Sequence, residues 1–532
     1  MFTRAYVSPV RVPWLHRFGR RSFLRTGALG VAGLRLVGCA DEGGPSVTEL
    51  DHPLIVGSGF GGGVTALRLA EAGIAATVLE RGRRWELTDA MDTFCSMREP
   101  DERAGWFTRE TPIGLAIRIR RYAGVAERFE GEGIDAIVGA GVGGGSLVYA
   151  GMMVQPPRDL FESVFPSEVG YDDMLETWYP KVNELLPVRM VPEDILNSET
   201  YAATRLFLQH ADNAGLNTEY NLNAIDWDIV RQEIAGELPA AASAGDYIYG
   251  LNNGAKGQVD RTYLARAEAT GLVEVRPLHR VTAVAEDPEG GYRVDVEVID
   301  DHGMVLQTAR YRAPVLFMSA GAVHSTRLLV EARARGDLSQ LSSEVGEGWG
   351  HNGQWLHSRM GLTEDTGAFQ GGPPAAVIRD FDNPVAPVTV EIGAAAFGYE
   401  CNCMICPSSS LNDGFGSLSW DPSAERTVLR WDEANGATGV AAGEWVTEQL
   451  NLANGGTQAP LPGQTRRSTF HPLGGVVMGR AADSFGRVDG HPGLYCVDGA
   501  LIPGSTPTAN PAWTIAAIAE RALDTIVRED LA

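Results

Sequence analysis

The chain has 532 residues, of which 44% are hydrophobic and 21% are charged. This composition is typical of a globular protein and excludes the fibrous and intrinsically disordered classes, and the length is sufficient for two or more lobes. Because 68 acidic residues outnumber 44 basic ones, we expect a negatively charged surface that repels nucleic acid.

The N-terminal segment 1–38 has the features of an export signal. It contains seven arginines and no acidic residue, and the paired Arg20 and Arg21 precede Ser-Phe-Leu-Arg and a short glycine-rich apolar run. This pattern predicts a twin-arginine signal, and Leu-Val-Gly before Cys39 is typical of a lipidation site. We therefore expect an exported protein that is secreted, periplasmic or anchored to a membrane through Cys39. The alternative is a disordered extension.

The segment from 53 to 80 predicts a dinucleotide-binding unit. Its apolar pattern indicates a strand, a tight loop, a helix and a second strand, over 53–56, 57–62, about 63–72 and 74–79. Gly57, Gly59 and Gly62 have the Gly-x-Gly-x-x-Gly spacing that lets a backbone approach a pyrophosphate at a helix N-terminus. Glu80 ends the second strand, where a carboxylate can bind both ribose hydroxyls. The alternative is a tight turn that requires small residues.

Two later segments favour FAD over NAD as the cofactor. A second glycine cluster, over 139–146, lies far downstream of the first and provides backbone clearance near a ring system. A buried strand over 494–497 ends at Asp498 and Gly499, where the carboxylate can hydrogen-bond a ribityl chain or a phosphate-bound water. NAD needs one glycine loop, whereas several separated segments would contact a longer dinucleotide. We therefore predict FAD.

Three of the six cysteines crowd into one short segment, at Cys401, Cys403 and Cys406. Structural zinc sites need four ligands, and no fourth ligand lies at suitable spacing. The sequence therefore favours a disulfide or buried thiols, and we predict no metal site.

Five motifs occur in order after the first glycine loop, between residues 141 and 522: GVGGGSLV, SEVGEGWGHNG, FHPLGG, DGALIPGS and NPAWTIAAIAERA. In order and spacing they resemble the glucose–methanol–choline (GMC) flavoprotein oxidoreductases, and within that family the bacterial cholesterol oxidases that bind FAD non-covalently. The similarity covers about residues 50–530. It implies an α/β fold, with a Rossmann-like FAD-binding domain made of a parallel sheet, helices and a small antiparallel sheet. A discontinuous α+β substrate-binding domain would roof the flavin.

The order of the motifs predicts how the two domains share the chain. Segments 50–155, 250–350 and 465–532 are assigned to the FAD-binding domain. Segments 156–249 and 351–464 are assigned to the substrate-binding domain, which should enclose an apolar cavity.

The resemblance implies three catalytic residues. A neutral imidazole at His471 suits transfer or stabilisation of a hydroxyl proton near pH 7, and the amide of Asn510 can hold the same oxygen. Glu391 lies in an alternating strand, and a carboxylate among apolar neighbours has a raised pKa and can act as a base. The alternatives are a packed structural histidine at 471 and a water-facing acid at 391, with Glu400 as the rival base.

The motifs and the resemblance together assign the cofactor site to eleven residues: Gly57, Gly59, Gly62, Glu80, Gly143, Gly145, Ser146, Met152, Val281, Asp498 and Gly499. One departure lies close to this set, because Tyr149 and Ala150 stand where the family usually has Asn-Gly. The change puts the polarity around the flavin, and access of oxygen to it, in question.

We therefore expect FAD-dependent oxidation of a secondary alcohol, such as the 3-hydroxyl of cholesterol, to the ketone, with dioxygen as acceptor and hydrogen peroxide as product. Isomerisation to the conjugated enone is implied as a further step. The alternatives are a GMC-type dehydrogenase of another hydroxy-lipid or a sugar, which passes electrons to a quinone or cytochrome, and a redox-silent FAD-containing lipid-binding protein. We expect a monomer that contacts a membrane, if at all, peripherally or through a lipid anchor at Cys39.

Overall fold

The computed structural model describes residues 45–531. The predicted export signal at 1–38 and the predicted lipidation site at Cys39 lie outside these residues. Among the described residues, no helix combines the length and the hydrophobicity that crossing a bilayer requires. Residues 45–531 cluster as one compact unit, and the division of this unit into two functional domains stays a prediction.

A five-stranded parallel sheet forms the centre of the nucleotide-binding region. Its strands lie in the order Val273–Arg276, Ala76–Leu79, Leu54–Val56, Leu316–Met318 and Leu494–Cys496. The inner strands are completely buried, as expected for short apolar runs in a sheet covered on both faces. The predicted strand–loop–helix–strand unit is confirmed, and each strand is slightly shorter than its apolar run.

The first helix begins at Phe60, three residues before its predicted start, and ends at Glu71. Glycine is a poor helix former, so the sequence places these glycines in the loop. In the structure Gly61 and Gly62 belong to the first turn of the helix, because this turn lies directly against the backbone of other segments. A Cβ atom on Gly61 would overlap the carbonyl oxygen of Val497, and one on Gly62 would overlap that of Gly57. Here tertiary packing outweighs the low helix propensity of glycine.

Six helices of eight or more residues pack around the sheets: Phe60–Glu71, Ala202–Asn213, Trp227–Ile234, Gly321–Arg335, Ala437–Asn454 and Pro511–Glu529. Shorter helices span Arg158–Val164, Tyr171–Asp173, Tyr179–Asn183, Glu193–Leu196 and Ala265–Ala269. The first and last of the long helices pack against each other. Buried Glu520 of the last helix accepts hydrogen bonds from the Arg68 guanidinium at 2.6 and 2.7 Å, which connects the two ends of the described chain.

Six smaller sheets complete the fold. A four-stranded sheet contains Ser46–Glu49, Val305–Ala313, Tyr292–Ile299 and His279–Glu286. One three-stranded sheet contains Ser468–Thr469, Asp135–Gly139 and Ala126–Phe129. Another contains Met152–Met153, Leu222–Ala224 and Val188–Met190. Two more are formed by Glu347–Trp349, Gly416–Asp421 and Arg426–Arg430, and by Cys403–Ile405, His357–Met360 and Thr457–Pro460. The remaining sheet contains Ser408–Ser409, Val388–Glu391, Ala376–Asp380 and Thr218–Tyr220.

The strand Val388–Glu391 explains why one acidic residue is buried. Successive side chains of a strand point to opposite faces, and Val388 and Val390 belong to an apolar core with Val446 of the helix Ala437–Asn454. Glu391 therefore points to the other face, where it is only 5% exposed. The alternative of a water-facing acid at this position is wrong.

We predict that Gly62→Ala lowers the free energy of unfolding by about 1–3 kcal/mol and weakens cofactor binding. The added methyl group meets the carbonyl oxygen of Gly57, which is backbone and cannot rotate away. Thermal denaturation and the ratio of bound cofactor to protein measure the two effects. Gly170→Ala is the matched control, since a Cβ at Gly170 meets nothing closer than 3.8 Å. Equal melting of both variants would contradict the prediction.

Candidate active site

A cavity of about 590 Å³ lies where the predicted site residues meet. Eleven of the fourteen line it: Gly57, Gly59, Glu80, Gly145, Met152, Val281, Glu391, His471, Asp498, Gly499 and Asn510. These residues lie in or just after strands of five different sheets, in the 3₁₀ helix Gly144–Leu147, and at the N-termini of the helices Phe60–Glu71 and Pro511–Glu529. The structure therefore brings together segments more than 450 residues apart in the chain.

Gly62, Gly143 and Ser146 do not line the cavity, and their contacts show that they hold its walls. Gly143 has φ of 108°, in the left-handed region that favours glycine. The Ser146 hydroxyl donates to the carbonyl oxygen of Gly143 at 2.7 Å and accepts from the Val259 N–H at 2.9 Å. Gly143 and Ser146 support a loop, here called the flavin-side loop (143–152), whose later residues reach the cavity. Gly62 instead packs against Gly57, which lines the cavity.

Glu80 connects the two glycine segments. One carboxylate oxygen accepts from the Ser58 hydroxyl at 2.6 Å and the Ser58 N–H at 3.2 Å, and the other accepts from the N–H groups of Gly82 and Gly141 at 2.8 and 3.3 Å. Both oxygens are thus occupied by protein donors. A ribose hydroxyl can bind this carboxylate only by replacing one of them, and the side chain of Ser58 is the one that can rotate.

The N-terminus of the helix Phe60–Glu71 faces the cavity. Gly59, Phe60 and Gly61 all line it, and the helix has no side-chain cap at its N-terminus. Free N–H groups and the positive end of the helix dipole suit a pyrophosphate. Beside them, Asp498 accepts from the Ser325 hydroxyl at 2.6 Å and from the N–H of Gly321 at 2.7 Å, and burial raises its pKa.

His471 lies at the cavity wall in a buried position, 9% exposed. Burial, with a smaller repulsion from His351, lowers the pKa of His471 to about 3, so the imidazole is neutral near pH 7. Its Nε2 atom lies 3.4 Å from the amide nitrogens of both Asn510 and Gln354. The opposite ring nitrogen, Nδ1, lies 3.3 Å from the amide nitrogen of Asn352.

The hydrogen bonds of Asn352 fix the orientation of its amide group. The Asn352 amide nitrogen donates to the carbonyl oxygen of Ala509 at 2.7 Å, and its amide oxygen accepts from the Thr506 N–H at 2.7 Å. This orientation leaves an N–H donor facing Nδ1 of His471. Amide nitrogens thus face both nitrogens of the imidazole ring.

Gln354 is held in one orientation by the segment that precedes His471. Its amide oxygen accepts from the Phe470 N–H at 2.8 Å and from the Thr469 hydroxyl at 2.9 Å. Its amide nitrogen therefore points to Nε2 of His471. Gln354 and Asn510 thus direct N–H groups to the part of the cavity beside Nε2 of His471, an arrangement suited to an oxygen atom that becomes negatively charged.

Glu391 lies beside this group of donors. Burial raises the pKa of Glu391 to about 7, although a hydrogen bond with Asn510 and the charge of Arg379 partly oppose the rise. The rival Glu400 does not line the cavity, and its carboxylate accepts from the Thr366 hydroxyl and the Asn402 N–H, each at 2.6 Å. The structure thus brings Glu391, and not Glu400, to His471 and Asn510.

The cysteine-rich segment is resolved into a disulfide and a buried thiol. Cys401 and Cys403 are joined, and Cys406 is a free buried cysteine. Within residues 45–531, no group of three or more potential ligands could hold a metal ion.

The comparisons with known proteins agree with this geometry. A family model described as GMC oxidoreductase matches residues 54–337, more than half of the chain, and two others match 352–461 (GMC oxidoreductase, C-terminal) and 429–519 (GMC oxidoreductase). The chain belongs to the GMC oxidoreductase family.

Several proteins are similar to this GMC oxidoreductase over most of their length. Cholesterol oxidase of Mycobacterium tuberculosis is 26% identical, over 88% of this chain and 90% of its own. Cholesterol oxidase of Acinetobacter baumannii is 23% identical, over 89% and 94%. Among solved structures, a fungal aryl-alcohol oxidase has a TM-score of 0.62 at 16% identity, covering 91% of this chain and 100% of its own. Pyridoxine 4-oxidase from Mesorbium loti has a TM-score of 0.60 at 15% identity, covering 90% and 100%.

Members of the GMC family are FAD-dependent and oxidise alcohols, and the fold is the mixed α/β fold predicted from the sequence. The residues present fit FAD. An uncapped helix N-terminus lines the cavity, and the two glycine segments are so close that a Cβ on Gly144 would lie 2.6 Å from the Cα of Gly59. When bound, FAD accepts the hydride that leaves the alcohol carbon.

Gln354 and Asn352 were missed by the sequence reasoning, although both lie in the quoted motif and its immediate continuation, GWGHNGQ. The motif served as a family marker, and its amides were not considered singly. A pair of amides two residues apart, next to a tight glycine turn, was the available signal.

We predict that Gln354→Ala lowers kcat by about 100-fold or more, the usual effect of removing one donor from a developing oxyanion. The FAD content should stay unchanged, because Gln354 contacts the catalytic segment and not the glycine loops. Steady-state kinetics and the flavin spectrum measure the two quantities. Gln458→Ala, at an exposed position, is the control. An equal kcat in both variants would show that Gln354 does not contribute to catalysis.

Proposed function

We propose that this GMC oxidoreductase binds FAD non-covalently and oxidises the 3-hydroxyl of a sterol-like substrate to the ketone. Dioxygen is the electron acceptor and hydrogen peroxide the product, and the ketone is then isomerised to the conjugated enone. The observation that carries this proposal is the buried Glu391 beside Asn510, because a carboxyl group with a pKa of about 7 can both take a proton from a substrate and return one, as isomerisation requires. The two relatives named cholesterol oxidase support the same substrate class.

The cavity lining supports a bulky apolar substrate. Outside the polar cluster, side chains that line it are mostly hydrophobic, including Met97, Ile113, Ile248, Leu356, Phe397 and Ile405. Such a surface favours a rigid hydrocarbon body through the hydrophobic effect. A sugar would leave most of its hydroxyl groups without hydrogen-bond partners there.

The polar cluster suggests how the protein acts on the hydroxyl group. The N–H groups of His471, Asn510 and Gln354 hold the substrate oxygen and stabilise negative charge as it loses its proton. We place the proton of the neutral imidazole on Nε2, since Nδ1 faces the N–H donor of Asn352, so His471 donates to the substrate oxygen and the neighbouring Glu391 carboxylate accepts the hydroxyl proton. Of the two roles expected for His471, accepting the proton and stabilising the oxygen, this proposal keeps the second.

Isomerisation uses the same carboxylate, after the hydroxyl proton has passed from it to the hydrogen peroxide that forms from dioxygen. The ketone formed first makes the hydrogens on the adjacent ring carbon acidic, and Glu391 removes one of them and returns a proton two carbons further along. The three N–H donors stabilise the enolate oxygen in between. A pKa near the working pH allows one carboxyl group both to accept and to return a proton.

The direct test is to purify the holoenzyme and offer sterols, sugars and aliphatic alcohols under anaerobic conditions. We expect the flavin absorbance to bleach with sterols, and acid precipitation to release the flavin into solution. His471→Gln should retain FAD but lower the rate of bleaching by about 100-fold or more. Sterol binding without bleaching would instead favour the redox-silent carrier, and bleaching by sugars alone would refute the sterol assignment.

The same preparation decides between dioxygen and another acceptor. Stoichiometric peroxide in air supports the oxidase, whereas reduction of an artificial dye without peroxide supports the dehydrogenase. The structure gives the second candidate one point of support, since Tyr149, which replaces the usual asparagine, lines the cavity. Its hydroxyl is bound to the carbonyl oxygen of Gly257.

We predict that Glu391→Gln abolishes enone formation and leaves ketone formation slower but measurable, since water can take the hydroxyl proton. In the wild type, isomerisation should increase with pH through about 7, because the carboxylate is the base and burial raises the pKa of Glu391 to that value. Absorbance of the conjugated enone measures the rate. Glu400→Gln is the matched control, and an unchanged enone yield in Glu391→Gln would exclude Glu391.

A further inference from the structure

Lys256 is a buried cation that no step above uses. The chain contains only two lysines, Lys181 and Lys256, and all its other basic residues except histidine are arginines. Lys256 is 2% exposed. A charged group of this kind is almost never fully buried unless it is paired, yet in the described part of the chain no carboxylate lies within 4.0 Å of its Nζ atom.

Three backbone carbonyl groups surround the Lys256 ammonium group instead. Nζ donates to the carbonyl oxygens of Leu147 at 2.7 Å, Tyr247 at 2.8 Å and Tyr149 at 3.1 Å. An ammonium group has three N–H donors, and all three are used. A planar guanidinium cannot direct three N–H groups from one atom in this way, which accounts for a lysine in a chain that otherwise uses arginine.

The carbonyl groups belong to two segments of the cavity wall. Leu147 and Tyr149 are in the flavin-side loop, of which Val148, Tyr149 and Ala150 line the cavity. The other segment, 245–249, also lines it. Lys256 therefore lies directly behind the wall and holds its two parts together.

The charge of Lys256 is only weakly offset. Burial lowers the pKa of Lys256 to about 7, and the Coulombic influence that opposes this comes from Asp260. A positive charge in a low-dielectric environment acts over a longer distance than one in water. A flavin that accepts a hydride gains negative charge, and positive charge nearby stabilises that reduced form.

We propose that Lys256 is a positioning residue of the flavin site, which fixes the wall formed by 147–150 and 245–249 and raises the reduction potential of the bound flavin. This inference rests on FAD binding in the cavity, as in the proposed function. It does not depend on which alcohol is the substrate.

The test measures the midpoint potential of the flavin in holoenzyme by equilibration with a reference dye, without any alcohol, below pH 7. We expect Lys256→Met and Lys256→Gln both to shift the potential to more negative values. Gln can still donate to the carbonyl groups, so this variant should keep more FAD and a higher Tm than Lys256→Met. That pattern would separate the positioning role from the effect of charge.

Lys181→Met is the matched control, because Lys181 lies at the surface 3.5 Å from Glu520 and does not line the cavity. Its potential should equal that of the wild type. A wild-type potential in both Lys256 variants, or in Lys256→Gln alone, would overturn the proposal. Loss of FAD from both Lys256 variants would also overturn it, since Lys256 would then be required for binding. Absence of FAD from the wild type would instead refute the proposed function.

Discussion

The architecture of the site depends on contacts between backbone atoms at the carboxyl edge of the parallel sheet. A Cβ atom at Gly57 would overlap the backbone of Ser319, and one at Gly61 would overlap that of Val497. Three strands therefore end within van der Waals distance of one helical turn. This proximity leaves no room for side chains and turns uncapped N–H groups toward the cavity. These contacts hold the first glycine segment against the strand ends that lead to Ser319 and Asp498.

The sequence was sufficient for the features that depend on local pattern. The parallel strands and the two glycine segments follow from periodicity and spacing, and the structure agrees with them. The family followed from the resemblance of its motifs, and the comparisons confirm it. Boundaries were less accurate, as at Phe60, because a contact with a distant strand determines where the helix begins. Motif membership also could not separate cavity-lining glycines from Gly62 and Gly143, which pack against protein.

Side chains whose roles arise from tertiary contacts were not predictable. Asn352 gains its role only when Thr506 and Ala509, more than 150 residues away, orient its amide. Lys256 was one lysine in an arginine-rich chain, and its importance appears only where three carbonyl groups meet. In contrast, the raised pKa of Glu391 was predictable, because alternating apolar neighbours in a strand indicate burial of the residue between them.

Burial has opposite effects on the two titratable groups of the candidate site. It lowers the pKa of His471 to about 3 and raises that of Glu391 to about 7, because in both cases the charged form loses hydration. The imidazole of His471 is therefore neutral at pH 7, whereas the carboxyl group of Glu391 is about half ionised there. Protonation of the buried imidazole near neutral pH carries a large free-energy cost. The carboxyl group of Glu391 can exchange a proton near pH 7, and this difference in pKa is the basis on which we propose separate roles for the two groups.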